Sequence, residues 1–335
     1  MAFTAKDVQA LREKTGCGMM DCKKALTECD GDMEKAVDFL REKGLAQQAK
    51  KAGRIAAEGA VLVYEADGVA AAVEINAETD FVAGGDLFKE LTLKVAQVVA
   101  EQNPADVEAL GNCALDGKTV NEAVQDLFLA VRENIKIRRF ERFEGNVGSY
   151  VHGGGKIGVL VNFDTTAEVA ATAEFKTLTK DIAMQIAAMN PIAVDEDGVS
   201  EEIKQTEINV AIEKTKAELV QKAVDAALNK AGINPAHVDS EDHMESNKAK
   251  GWITEEDVVK AKEIIATVSA EKAASLPEAM IQNIAKGRLA KFLKEVCLLN
   301  QEDILDGKKT VRETLKAADA ELKIIDFKRF TLRAE

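Results

Sequence analysis

The spacing of apolar residues changes along the chain and separates regions with different predicted structure. Up to about residue 55, apolar residues recur every three or four positions, as in amphipathic helices. From Gly59 they alternate with polar residues, as in strands, with helical stretches between. After Pro191 the strand pattern is absent until Ala320, where alternation returns. The pattern therefore predicts a helical start, an α+β core and a long helical insertion before a last strand.

The first 55 residues are predicted to form three short helices. Thr4 and Asp7 have the spacing of a capping box at the start of the first helix, and Gly16 is expected to end it. The third helix is expected to end at Gly44, because glycine is common just after a helix. Residues 45–55 are rich in basic residues and are predicted to form a helical linker.

Two methionines, Met19 and Met20, follow a glycine-containing loop at the start of the second helix. They are either core residues or an adaptable contact surface, since flexible thioether side chains suit both roles. The pattern leaves both interpretations open.

Two hairpins and a repeat mark the core. Val69–Asn76 follows a first strand across Asp67-Gly68, a strong signal for a two-residue turn, and a second hairpin turns at Gly153-Gly154-Gly155. Phe88–Pro104 and Phe175–Pro191 then match at eight of 17 positions without a gap. Each helix follows a hairpin, so the core is predicted to be a duplicated hairpin-plus-helix unit.

The connection between the first hairpin and its helix contains an acid beside an aromatic residue, Asp80-Phe81, and ends in Gly84-Gly85. Phe81 is either packed into its own core or offered to a partner, where its burial would contribute about 1.5–3 kcal/mol. The second copy lacks Thr-Asp-Phe, so we interpret the first connection as specialised. A shift of one residue would instead pair Asp80-Phe81 with Glu168-Val169.

Residues 196–276 are predicted to form a helical arm with a polar loop at 239–251. The arm is either a packed subdomain or a device for dimerisation or partner docking, because its apolar seam is rich in alanine and is not a clean heptad. A third helix is expected to start at Pro277.

Composition and charge exclude some classes of binding partner. A net charge of −14 and 4% aromatic residues argue against binding to nucleic acid or to anionic membranes. The start of the chain has no apolar signal segment, and no run of 18 apolar residues occurs, so we expect a cytoplasmic protein with reduced cysteines.

No catalytic motif is recognisable. Gly153–Lys156 resembles part of a phosphate-binding loop, but such a loop lies between a strand and a helix, and here a strand follows. His152 has no serine or cysteine partner that would fit a triad. We therefore expect no enzyme activity, no metal and no cofactor, but a protein that acts by binding another. A binding scaffold without further activity and a nucleotide-binding enzyme are the alternatives.

Five segments together resemble the bacterial translation elongation factor Ts family. They are TGCGMMDCKKAL (Thr15–Leu26), ETDFVA (Glu78–Ala83), NIKIRRF (Asn134–Phe140), GSYVHGGGKIGVLV (Gly148–Val161) and KGRLAKFLKEVCLLNQ (Lys286–Gln301). The resemblance implies an α+β fold with a ubiquitin-associated-like three-helix domain (1–55) and two core subdomains (56–145, and 146–195 with 277–335). It also implies a coiled-coil dimerisation arm (196–276).

The resemblance also implies an activity. Members of this family are guanine-nucleotide exchange factors: they bind elongation factor Tu with GDP, disturb its Mg²⁺ and phosphate site, and stay bound until GTP enters. Thr79, Asp80, Phe81 and Val82 match the segment that reaches the magnesium site. The remaining matches to the partner-binding surface are Arg12, Met19, Met20 and His152.

Overall fold

A computed structural model describes residues 3–51 and 53–332. Ala52 of the predicted linker and residues 333–335 of the last predicted domain lie outside them. The elements are α1 (Ala5–Thr15), α2 (Met19–Glu28), α3 (Met33–Lys51), β1 (Glu58–Ala66), β2 (Val69–Ala77), α4 (Asp80–Gly84), α5 (Asp86–Gln102), α6 (Val107–Asn112), β3 (Ala114–Leu115), β4 (Lys118–Thr119), α7 (Val120–Val131), β5 (Lys136–Glu144), β6 (Asn146–His152), β7 (Ile157–Asp164), α8 (Ala167–Ala170), α9 (Ala173–Met189), α10 (Glu201–Lys230), α11 (Glu241–Ala249), α12 (Glu255–Ala274), α13 (Glu278–Val296), α14 (Val311–Ala318) and β8 (Lys323–Thr331).

The chain divides into two compact units. The first contains the residues up to Val194 together with those from Glu302, and the second is Asp195–Gln301. Within the first unit, the three predicted N-terminal helices are present: Thr4 and Asp7 form the expected capping box, and Gly16 ends α1 with φ 67°.

The third helix does not end at Gly44, and that prediction was wrong. The helix α3 continues to Lys51. A Cβ atom on Gly44 would lie 2.4 Å from Cδ2 of Leu129, a buried residue of α7. Gly44 therefore allows two helices to pack closely, a role that no local sequence signal distinguishes from a helix end.

Two three-stranded antiparallel sheets form the core of the first unit. Their strand orders are β1-β2-β5 and β6-β7-β8, so each hairpin receives its third strand from later in the chain. The predicted two-residue turn is confirmed, since Asp67 and Gly68 have φ values of 51° and 76°. Residues 105–135, predicted to be helical, also contain the short hairpin β3-β4 between two helices.

The repeat extends beyond the two matched helices. At a constant offset, Thr79 and Thr166 both cap short helices, and both accept a hydrogen bond from the backbone amide three residues later. Asn103 and Asn190 both end the long helices in the left-handed conformation. This alignment places Glu168 where the first copy has Phe81. The two copies thus share a backbone plan and differ in the outward-facing residues of the turn, where Asp80-Phe81 corresponds to Ala167-Glu168.

The second unit contains α10, α12 and α13, with α11 between the first two. Residues 239–251, predicted to be a loop, contain α11, capped by Ser240 and with Met244 buried. The unit also extends past the predicted arm boundary at 276, because α13 packs on α10 and Arg288 bonds Glu218 at 2.7 Å. Among the described residues, no helix is long and apolar enough to cross a bilayer.

Candidate functional site

The connection that follows β2 folds into a capped helical turn, α4, where a loop was predicted. Oγ1 of Thr79 accepts a hydrogen bond from the Val82 amide at 3.3 Å, which satisfies one of the free donors at a helix start. Val82 and Ala83 are buried, whereas Asp80 is exposed and Phe81 is 87% exposed. The turn is therefore attached by its inner face and presents Phe81 outward.

A carboxylate from a distant part of the sequence anchors the cap. Glu133 accepts hydrogen bonds from the Thr79 amide at 3.0 Å and from the Thr79 hydroxyl at 2.7 Å. Charge-assisted hydrogen bonds are stronger than neutral ones. The role of Glu133 was not predicted, and the sequence offers no signal for it, because Glu133 and Thr79 are 54 positions apart.

Glu78, the residue before the cap, is held in the same region. One oxygen of Glu78 accepts a hydrogen bond from the backbone N–H of Asn134 at 2.8 Å, and the other contacts the Arg54 guanidinium at 3.2 Å. The Asn134 amide, together with Arg54, holds the pKa of Glu78 below its usual value. The Asn134 side chain also donates to the Arg54 carbonyl at 2.9 Å. These contacts fix the chain on both sides of the turn.

Arg132, the residue before Glu133 and Asn134, connects the turn to the N-terminal helices. Arg132 ends α7 in the left-handed conformation, with φ 63°. Its guanidinium donates to Asp21 of α2 and to Gln47 of α3, both at 2.6 Å, and its carbonyl accepts from Lys51. We call residues 132–134 the anchor segment. It connects α2 and α3 on one side with α4 on the other.

The two methionines are exposed, so their interpretation as core residues was wrong. Met19 is 45% and Met20 is 74% exposed, at the start of α2 and directly before Asp21. Because Asp21 contacts the anchor segment, two side-chain contacts connect the methionines with the turn that carries Phe81. Arg12 is also exposed, on α1. The alternative interpretation, an adaptable contact surface, is consistent with this exposure.

His152 is exposed at the end of β6, where its Nδ1 atom lies 3.1 Å from the Tyr150 hydroxyl. The following hairpin turn lies against the first sheet, since the Gly155 carbonyl accepts from the Val61 amide at 2.8 Å. Val61 belongs to the part of β1 near the end of β2 that leads into α4. The hairpin of His152 is thus near the end of the sheet from which α4 emerges.

Other kinds of site receive no support from the described residues. Gly153–Lys156 turns from one strand into the next, which confirms the predicted hairpin turn and leaves no strand-to-helix context for a phosphate-binding loop. Within residues 3–51 and 53–332, no cluster of three or more histidine, cysteine or acidic residues could hold a metal ion. Cys17 and Cys22 are buried free thiols, and burial raises the pKa of each, so both stay protonated and unreactive.

Comparison with known proteins agrees with the predicted resemblance. The profile of the elongation factor TS family matches residues 78–334, which include α4 and His152. The chain is 57% identical to elongation factor Ts of Bacteroides fragilis and 55% identical to that of Bacteroides thetaiotaomicron, over the whole of each pair. It is 40% identical to elongation factor Ts of Clostridium perfringens, across 96% of this chain and 88% of that protein. The chain belongs to the elongation factor Ts family.

Proposed function

We propose that the chain acts on its partner through the turn Thr79–Val82. As a member of this family, the chain is a guanine-nucleotide exchange factor for elongation factor Tu in translation elongation. The observation that carries the proposal is that Phe81 is 87% exposed on a turn anchored at its cap and on its inner face. A large apolar side chain that is exposed to solvent on an anchored turn is favourable to bury against a partner.

The arrangement suits displacement of a metal ion. Mg²⁺ requires near-ideal octahedral geometry and bridges the phosphates of a bound nucleotide. Phe81, inserted beside the metal site of elongation factor Tu, would shift its ligands, while the Asp80 carboxylate would change the local field and hydrogen bonding. Thr79 and Val82 set the position of the ring, because one caps the turn and the other anchors it in the core. No covalent bond changes, so the activity needs no catalytic residue in the chemical sense.

The thermodynamics follow from linkage. If the chain weakens GDP binding, GDP must weaken binding of the chain by the same factor, with about 1.4 kcal/mol for each tenfold change. The factor therefore remains on the nucleotide-free partner and leaves when GTP binds. Exchange is accelerated without a change in the final equilibrium between the nucleotides.

Further contacts with elongation factor Tu are proposed for Arg12, Met19, Met20 and His152. All four side chains are exposed. The methionines are connected to the turn by the anchor segment, and the hairpin of His152 lies near the end of the sheet that leads into α4. Flexible thioethers adapt to partner surfaces without a fixed geometry.

The remaining parts of the chain are assigned supporting roles. We propose that α1–α3 are the ubiquitin-associated-like domain and that α10–α13 form the coiled-coil arm through which two copies associate. Exposed Val210, Val259 and Met280 on the arm favour association. Light scattering on the full chain and on a variant with a shortened arm tests this, since only the full chain should form dimers. We place the activity in the cytoplasm, without direct nucleic-acid contact.

Stopped-flow release of fluorescent GDP from elongation factor Tu tests the proposed mechanism. The full chain should accelerate release, and Phe81→Ala should lose most of that acceleration. Glu168→Ala is the matched control, because it alters the equivalent exposed position of the second short helix. It should behave like the unmodified chain. Acceleration by Phe81→Ala at the unmodified rate would refute the role of the turn.

A further inference from the structure

The two most exposed large hydrophobic side chains among the described residues are Phe81, at 87%, and Ile55, at 84%. Nothing in the proposed function accounts for Ile55. It lies in the short segment between α3 and β1, where only a linker was predicted.

Three residues form a closed set of contacts that fixes this segment. The Arg54 guanidinium pairs with Glu78 at 3.2 Å, the Asn134 amide donates to Glu78 at 2.8 Å, and the Asn134 side chain donates to the Arg54 carbonyl at 2.9 Å. Asn134 is buried, so its bonds are shielded from water. Ile55 directly follows Arg54, and Phe81 comes three residues after Glu78.

The strand register places the same two segments side by side. Glu58, the first residue of β1, pairs with Ala77, the last residue of β2. Residues 55–57 therefore enter the sheet at the end where residues 78–80 leave it. Paired neighbouring strands are about 5 Å apart, and the Arg54–Glu78 contact keeps the two segments together beyond the last strand pair. Ile55 and Phe81 are therefore exposed at the same end of the sheet.

We propose that Ile55 is a second apolar contact for elongation factor Tu, forming one binding surface with Phe81. This inference rests on the proposed function, because elongation factor Tu is taken as the partner on the ground that Ile55 adjoins the turn that carries Phe81. The partner would present an apolar patch beside the pocket that Phe81 enters. Arg54 is already paired with Glu78 at 3.2 Å, so covering this pair leaves neither of its two charges isolated.

Binding measurements on the full chain test the inference. Ile55→Ala should raise the Kd for nucleotide-free elongation factor Tu about tenfold, as expected for loss of one buried aliphatic side chain. The rate of GDP release at saturating factor should stay near the unmodified value, since Ile55 lies outside the pocket. The melting temperature should not change, because the side chain is exposed.

Ile325→Ala is the matched control. Ile325 is 58% exposed on β8 and follows Ile324, which pairs with Phe163 of β7. It therefore lies at the end of the second sheet opposite the hairpin of His152. It should bind with the unmodified Kd.

Phe81→Ala, measured alongside, separates the two proposals. If Phe81→Ala loses exchange and Ile55→Ala binds like the unmodified chain, the inference about Ile55 is overturned and the proposed function stands. If Phe81→Ala exchanges normally while Ile55→Ala binds weakly, Ile55 remains a contact and the role of the turn is refuted. A lower melting temperature for Ile55→Ala would overturn the inference, because it would show a structural role.

Discussion

The carboxylate of Glu133 holds Thr79 by two atoms, the backbone amide at 3.0 Å and the hydroxyl at 2.7 Å. The same hydroxyl accepts from the Val82 amide, so the cap of α4 depends on a residue outside the turn. Because Glu133 follows Arg132, which contacts Asp21, one short segment fixes the turn relative to the N-terminal helices.

Removing this carboxylate should impair both exchange and stability. Glu133→Ala deletes two hydrogen bonds, each with a net contribution of about 0.5–1.5 kcal/mol, so we expect GDP release from elongation factor Tu to slow about tenfold. Glu133→Gln keeps one acceptor and should lose less. Stopped-flow release and thermal unfolding of both variants provide the measurement. An unchanged rate for Glu133→Ala would show that α4 keeps its position without the anchor.

Two phenylalanines seven positions apart should respond oppositely to truncation. Phe81→Ala should change the free energy of unfolding by less than about 0.5 kcal/mol, as is usual for exposed positions. Phe88→Ala removes a buried ring from the hydrophobic core between α5 and the first sheet, and should lower the free energy of unfolding by about 3–5 kcal/mol. Chemical denaturation of both variants measures the difference. A large loss for Phe81→Ala would place its ring in the core and contradict the exposed position.

The second hairpin offers a steric test. Gly155 has φ 103°, and a Cβ atom there would lie 2.9 Å from Cβ of Ala60. Gly155→Ala should therefore destabilise the chain by more than about 1 kcal/mol and displace the hairpin tip near His152. Gly154→Ala is the control, because Gly154 has φ 69° but open space around its Cβ position. Equal melting temperatures for the two variants would argue against the close approach.

Acid should weaken the contacts of Glu78. Its folded-state pKa is lowered, so the stabilisation is fully present above the unfolded value of about 4.3 and is lost as the pH falls through the folded value. We expect the stability difference between the unmodified chain and Glu78→Gln to shrink as the pH is lowered from about 6 to about 3. Thermal unfolding over that range measures it. A difference that is constant with pH would show that the Glu78 charge contributes nothing.

Features encoded by neighbouring residues were predictable from the sequence. The capping box of Thr4 and Asp7, the Asp67-Gly68 turn and the duplication each depend on contacts within a few positions or on direct repetition. Gly44 and Glu133 were not predictable, because their roles depend on Leu129 and Thr79, which are distant in sequence. A polar stretch such as 239–251 misleads for a similar reason, since Met244 becomes buried only in the folded second unit.

The capped turn α4 is complete in the chain by itself, with its hydrogen bonds made and its inner face packed. The backbone that carries the aromatic ring therefore requires no ordering step when the two proteins meet. Diffusion and orientation set the speed of encounter, and changes within the turn should appear in the lifetime of the complex, with little effect on how fast it forms.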